Sequence, residues 1–277
     1  MVIKNKRKFM KVANDIKEIK IQGARNIAGW ALYAYLLSPT KEAMKILKSL
    51  RPTEPMLMNV LNKLEKGEDH KKILNHFFEA QKKINKFVFD LMEDEEVIFT
   101  HCHSTNVVKS LKYAKKKGKK FEVHNTETRP LFQGRKTARE LKKAGIKVTM
   151  FVDSALGVAI SGSQGNKKAT KVFLGADALL KKGVINKIGS EVIAQVAREE
   201  GVPVYIIADS WKFSPKEIKL EQRDFDEVWK NIPQKSHIKI KNPAFEFVHK
   251  KYIKGVITEY GVLPYKKFIK KARKENQ

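Results

Sequence analysis

Residues 97–125 read VIFTHCHSTNVVKSLKYAKKKGKKFEVHN, and this stretch decides the fold. Val97 to Thr100 is a short run of β-branched and aromatic residues, which predicts a strand. Val107, Leu111 and Ala114 then recur at helical spacing, which predicts a helix over 107–116. The run Lys115-Lys116-Lys117-Gly118-Lys119-Lys120 closes it, and Phe121 to Asn125 begins a second strand. Two apolar strands joined by a helix form one parallel unit.

The same alternation continues outward. Strands are expected at Val148 to Val152, Val172 to Leu174 and Val204 to Ala208, with helices at Lys136 to Ala144 and Gly189 to Glu199. After Lys212 the pattern loosens to one strand near Val256-Ile257-Thr258 and a basic C-terminal helix. Toward the N-terminus the texture changes. Ile27, Trp30, Ala31, Ala34 and Tyr35, and later Ile73, Phe77, Phe78, Ile84 and Phe87, recur at the three-and-four spacing of helix faces. Pro39 and Pro52 punctuate these helices, with Ser38 and Thr40 placed for capping. The acidic patch Glu93-Asp94-Glu95-Glu96 marks the change. The expected fold class is therefore α/β: a helical N-terminal domain over 1–95, then a Rossmann-like, doubly wound parallel-sheet domain over 96–277.

Composition narrows the function classes. With 57 Lys and Arg against 30 Asp and Glu, the formal charge is +27. A nucleic-acid surface, a Lys-rich solvated surface suited to a hot or salty cytoplasm, and attraction of a phosphorylated small molecule all fit that charge. The longest lysine run has no interleaved aromatics. One cysteine, Cys102, excludes an internal disulfide. No apolar run approaches the roughly 18 residues of a membrane span, and the basic N-terminus lacks a signal peptide's apolar region. A cytoplasmic protein with no membrane partner is expected.

In an open parallel sheet, the carboxyl ends of the strands line the ligand crevice. Cys102 follows the first strand, and Asp177, in Gly175-Ala176-Asp177, follows the run Lys171 to Leu174. A thiol and a carboxylate far apart in sequence thereby come to face one substrate. Each residue also has a plainer reading: Cys102 as a buried small hydrophobe, Asp177 as a turn or helix-cap residue. His101 and His103 flank Cys102 and suggest a metal cluster, but alternate residues of an extended chain point to opposite faces. No bound metal is expected. No phosphate-loop or dinucleotide fingerprint occurs either, so no cofactor is expected. Asp153 reads as a structural hydrogen-bond acceptor beside the site. Gly23 to Gly29 opens a helix in a way suited to an anion or to close packing.

The ordered motifs resemble one superfamily. It unites archaeal ribose-1,5-bisphosphate isomerase, methylthioribose-1-phosphate isomerase and the alpha, beta and delta subunits of translation initiation factor 2B. The segments that carry the resemblance run from Gln22-Gly23-Ala24-Arg25 and Leu50-Arg51-Pro52-Thr53 through Thr100-His101-Cys102-His103-Ser104 and Thr126-Glu127-Thr128-Arg129-Pro130 with Gln133-Gly134. They continue through Val152-Asp153-Ser154-Ala155, Gly175-Ala176-Asp177, Ile185-Asn186-Lys187-Ile188-Gly189 and Trp211-Lys212-Phe213. The resemblance implies a catalytic pair, Cys102 and Asp177, that the initiation-factor subunits generally lack. It further implies a sugar phosphate held by Gln22, Gly23, Ala24, Arg25, Arg51, His103, Ser104, Arg129, Asn186, Lys187 and Lys212. Gln22 stands where the isomerases usually carry Arg. Gln cannot neutralise a phosphate, and Arg25, one helical turn on, is the compensating cation.

The chemistry expected from this resemblance is aldose-to-ketose isomerisation, most like that of ribose-1,5-bisphosphate isomerase. Asp177, its pKa raised in an apolar pocket, is expected to act as the acid, and Cys102, its pKa lowered near Lys or a helix start, as the base. Asn186 would orient Asp177 or a substrate hydroxyl; Arg51, Arg129, Lys187 and Lys212 would hold the phosphates. The resemblance also implies a homo-oligomer, a dimer or hexamer, with a nucleotide such as AMP as a possible activator. The alternative is a non-catalytic initiation factor 2B-like subunit that senses a sugar phosphate or nucleotide and partners initiation factor 2.

Overall fold

The computed structural model describes residues 5–220, 222–231 and 237–275. Among them five helices come first: α1 (Lys6–Lys17), α2 (Ala24–Leu37), α3 (Lys41–Leu50), α4 (Pro55–Glu65) and α5 (His70–Leu91). The Thr40 hydroxyl caps α3 by accepting from the Ala43 N–H at 3.1 Å. Pro55 opens α4 at the position where a missing N–H costs nothing. On α2, Ile27, Ala31 and Ala34 are buried against Phe9, Leu47 and Leu57, while Ala28 and Leu32 pack on Met56, Val60 and Phe77. Two expected core residues lie elsewhere: Trp30 is 47% and Phe78 62% exposed. At 3.6 residues per turn each falls to one side of the buried stripe, and the neighbouring helices do not reach that side.

The remainder alternates as β1 (Glu96–Thr100), α6 (Thr105–Lys116), β2 (Phe121–Thr126), α7 (Gln133–Lys143), β3 (Lys147–Phe151), α8 (Leu156–Ser161) and β4 (Lys171–Leu174). Then follow β5 (Ala178–Leu179), β6 (Gly183–Lys187), α9 (Ser190–Glu199), β7 (Val204–Ile207), β8 (Phe245–His249), β9 (Gly255–Thr258), β10 (Gly261–Leu263) and α10 (Tyr265–Glu275). The main sheet has seven strands in the order β10-β9-β7-β4-β1-β2-β3. All its pairs are parallel except β9 with β10.

Alternate side chains of these strands point to opposite faces, and each face has its own core. Phe99, Val172, Leu174 and Ile206 pack with Ile193 and Ala197 of α9 and Phe268 of α10. Ile98, Val123, Phe173 and Ile207 pack with Ile84 and Val88 of α5, Leu111 of α6 and Leu141 of α7. Each fully buried side chain of this kind is worth about 1.5–3 kcal/mol. Helix α5 thus joins the two regions: Ile73 and Phe77 in its first half belong to the helical core, and its second half covers the sheet.

Four strands lie outside the expected set: β10, which pairs antiparallel with β9 at the edge of the main sheet, and three others. β5, β6 and β8 form a small antiparallel sheet, built from a two-residue strand, the Ile185-Asn186-Lys187 motif itself and part of the stretch that seemed patternless. No helix among the described residues is long and apolar enough to cross a membrane.

Candidate active site

In the main sheet β1 leads to β2 and β3 on one side, while β4 lies on its other side. The strand order reverses between the parallel neighbours β1 and β4, and a crevice opens at the carboxyl ends of such a pair. Cys102 follows β1 and Asp177 follows β4, and both line one cavity of about 210 Å³.

The backbone holds Cys102 in place. Its φ is 64°, a left-handed conformation uncommon outside glycine. The Thr128 hydroxyl accepts from the Cys102 N–H at 2.9 Å, and the Thr137 hydroxyl donates to the Cys102 carbonyl at 2.7 Å. Thr128 is itself held by Asp153, which accepts from the N–H groups of Thr128 and Arg129 at 2.8 and 2.6 Å. The start of α7 comes close enough to supply Thr137 because residue 134 is glycine. A Cβ there would sit 1.8 Å from the Thr126 carbonyl oxygen.

The flanking histidines turn away from a common point. His101 Nε2 donates to the Ile188 carbonyl at 2.9 Å, and Nδ1 accepts from Thr126 at 2.5 Å. Burial pulls the His101 pKa down to about 4, so the ring is neutral. His103 Nδ1 donates to the Thr137 hydroxyl at 3.0 Å. Burial also lowers the His103 pKa.

On the facing strand, Gly175 allows the contact that closes the crevice. A Cβ at this position would lie 2.7 Å from the Ser104 Cβ and Oγ, and Ser104 caps α6. Asp177 is fixed through its N–H, which donates to the Ile185 carbonyl at 2.8 Å. Burial pushes its carboxyl upward, while Lys212, Lys187 and Arg51, in that order, pull it back. Desolvation prevails, and the carboxyl is held above its ordinary range.

The thiol departs from expectation. Cys102 keeps some surface toward the cavity, yet the surrounding protein desolvates its sulfur and pushes the pKa up to about 12. The His103 N–H and the Lys187 ammonium oppose this rise without reversing it. Burial likewise lowers the pKa of Lys187.

Gln22, Gly23, Ala24, Arg25, Arg51, His103, Ser104, Asn186, Lys187 and Lys212 line the same cavity. Arg51 is buried with Glu54 at 3.6 Å. The Asn186 amide donates to the Ser190 hydroxyl at 2.9 Å. The Lys212 ammonium donates to the Ala176 carbonyl at 2.5 Å, next to Asp177. Arg129 is the exception and is not part of the lining. Its guanidinium lies 4.9 Å from the centre of the Phe132 ring and donates to the Val228 carbonyl at 3.3 Å. Two lining cations were missed: Lys136 and Arg223. Lys136 stands two residues after the Gln133-Gly134 motif and was within reach. Arg223, paired with Glu227 at 2.9 Å, comes from a stretch without periodicity.

The fold that carries this thiol–carboxyl pair is one the chain shares with known proteins. The sequence profile described as the Initiation factor 2 subunit family matches residues 34–265. A ribose 1,5-bisphosphate isomerase of Methanocaldococcus jannaschii is 37% identical over 90% of this chain and 89% of its own length. A Pyrococcus horikoshii structure described as translation initiation factor eIF-2B superposes with a TM-score of 0.80 at 25% identity, over 93% of this chain and 97% of that one. The 5-methylthioribose 1-phosphate isomerase of the same organism gives 0.77 at 26%, over 96% and 88%. Sequence profile, curated relative and solved structures agree across both the helices and the sheet, and the chain belongs to the Initiation factor 2 subunit family.

Proposed function

We propose that this protein is a sugar-phosphate aldose-ketose isomerase that converts ribose 1,5-bisphosphate to ribulose 1,5-bisphosphate. One observation carries the reading: Cys102 and Asp177, whose carboxyl pKa burial raises, open into one cavity from neighbouring strand ends, with Arg51, Lys187 and Lys212 around it. Asp177 donates its proton to the ring oxygen and opens the furanose. The Cys102 thiolate removes the C2 proton and returns it to C1. The Asp177 carboxylate then takes the proton of the C2 hydroxyl, which leaves the ketone and restores both groups. Lys187, the cation acting on the Cys102 sulfur, favours the thiolate. Arg25, Arg51, Lys136, Lys187 and Lys212 supply the charge for two phosphates. The strand order fits a doubly wound, Rossmann-like sheet in 96–277, with the helices of 1–95 as its cover.

Exposed Met150 beside the edge strand's end at Val152, together with Phe225 and Trp229, supports a homo-oligomer, which light scattering checks. A regulatory, non-catalytic subunit is the second reading, favoured by uncharged Gln22 and by the high pKa of Cys102. The test is conversion of ribose 1,5-bisphosphate by the wild-type protein, Cys102→Ser and Asp177→Asn. Each variant is expected to lose about 10²–10⁴-fold in kcat. Wild-type binding without turnover, together with capture of initiation factor 2, would transfer the assignment to the regulatory subunit.

A further inference from the structure

Lys212 sits on a tight turn, Ser210–Lys212, that follows β7. The turn braces itself: the Asp209 carboxylate accepts from the Trp211 N–H at 2.9 Å, and the Ser210 N–H donates to Glu259 at 3.1 Å. The N-terminal helices then grip it from outside. The amide nitrogen of Asn59, on α4, donates to the Trp211 carbonyl at 2.7 Å and to the Phe213 carbonyl at 2.9 Å. These two carbonyls straddle Lys212, so one side chain anchors the peptide just before it and the one a residue beyond it.

His76, on α5, holds the turn through its ring. The imidazole stacks on the Trp211 indole at 3.6 Å with 1° between the planes, and Nε2 donates to Asp209 at 3.1 Å. Neither Asn59 nor His76 lines the cavity. Both act on the residue whose ammonium reaches the carbonyl next to Asp177.

We propose that Asn59 and His76 are positioning residues: the helical region aims the Lys212 ammonium at the acid-bearing strand end by holding the turn around it. This rests on the isomerase reading only for its consequence in catalysis. A lysine side chain has four rotatable bonds and loses much rotamer freedom when it is ordered. Anchoring its backbone on both sides reduces the freedom it would otherwise lose on meeting a phosphate. The same contacts tie α4 and α5 to the sheet, so any shift between helices and sheet moves Lys212 directly.

The experiment uses the full chain and two readouts. In the first, brief acetic anhydride labelling followed by mass spectrometry compares Lys212 with Lys187, a second buried lysine of the cavity. Asn59→Ala, and His76→Phe, which keeps the stacked ring but not the hydrogen bond, are expected to raise Lys212 labelling several-fold with Lys187 unchanged. Equal rises at both lysines, or none at Lys212, would overturn the proposal. This readout needs no sugar, so it stands apart from the isomerase assignment. In the second, the affinity for ribose 1,5-bisphosphate is measured for Asn59→Ala, Lys212→Ala and the double variant. Asn59→Ala alone is expected to weaken binding about tenfold, and the double variant to bind no worse than Lys212→Ala. Losses that multiply would show that Asn59 acts independently of Lys212 and refute the inference. If the wild-type protein neither binds nor converts the sugar, the isomerase reading fails, while the labelling still decides the aim of Lys212.

Discussion

The two walls of the cleft are built on different principles. On the sheet wall, Cys102 and Asp177 are held through their backbones: Thr128 and Thr137 grip the N–H and carbonyl of Cys102, and the Asp177 N–H is tied to Ile185. On the helical wall, Gln22 and Gly23 are exposed and Arg25 is half-buried, its guanidinium resting 5.5 Å from the centre of the Phe77 ring. Proton transfer needs atoms placed to a fraction of an ångström, and strand ends provide that placement. Phosphate recognition tolerates long, charged side chains, and helices bring those. Damage to the sheet wall should therefore appear in kcat and damage to the helical wall in KM.

The largest test of this contrast is a pH profile. The thiolate is the reactive form, and burial raises the Cys102 pKa to about 12 in the open cleft. The thiolate fraction then grows tenfold per pH unit below that value, so kcat/KM should rise about 100-fold between pH 7 and 9. A plateau of kcat above pH 7, with kcat/KM still rising, would show that bound sugar phosphate brings the thiol down.

Next comes the charged rim. Arg25→Ala and Lys136→Ala should each raise KM about tenfold and leave kcat within a factor of two, as expected for cations that hold a phosphate equally in ground and transition state. A fall in kcat of the same size would break the division between the walls.

Smaller still is the seam within the sheet wall. Gly175→Ala forces a methyl against Ser104, 2.7 Å away, and should destabilise the protein by about 1–3 kcal/mol in urea titration. Adding Ser104→Gly removes the opposing atoms and should recover most of that loss, because glycine is nearly as good a helix cap.

A stability effect of similar size is the acid sensitivity of the same wall. His101 is buried and neutral, with its pKa lowered from 6.5 to about 4. Between those values the unfolded chain binds a proton that the native state does not, so stability rises with pH in that window. It is full above 6.5 and should fall by about 1.4 kcal/mol per unit as pH drops toward 4. His101→Asn should flatten that slope in urea titrations at pH 5 and 7.

Much of the fold was legible because short apolar runs and three-and-four spacing are local signals. The strand expected at 148–152 lies at Lys147–Phe151, and the helix expected at 189–199 is Ser190–Glu199. The antiparallel sheet was not legible. β5 is two residues long and β6 coincides with a polar motif, so neither shows the alternation that marks a strand. Trp30 and Phe78 followed the right spacing, but exposure depends on where neighbouring helices stop. Asp153 sits where its sequence position suggested, accepting two backbone N–H groups beside the site.

The sequence by itself determined which residues stand at strand ends and which are charged, since both follow from local pattern and residue type. That local reading put Cys102 and Asp177 at the cavity, while the resemblance to the family supplied the residues around them, such as Arg51, Asn186, Lys187 and Lys212. Only the tertiary structure decided that Arg129 turns toward Phe132 and Val228 while Lys136 and Arg223 line the cleft, because a long side chain takes the direction its neighbours leave open. Only the structure decided the state of the thiol as well. A Lys or a helix start near a strand-end thiol argued for a low Cys102 pKa, but desolvation depends on how much protein surrounds the sulfur, and here it outweighs the charge of Lys187.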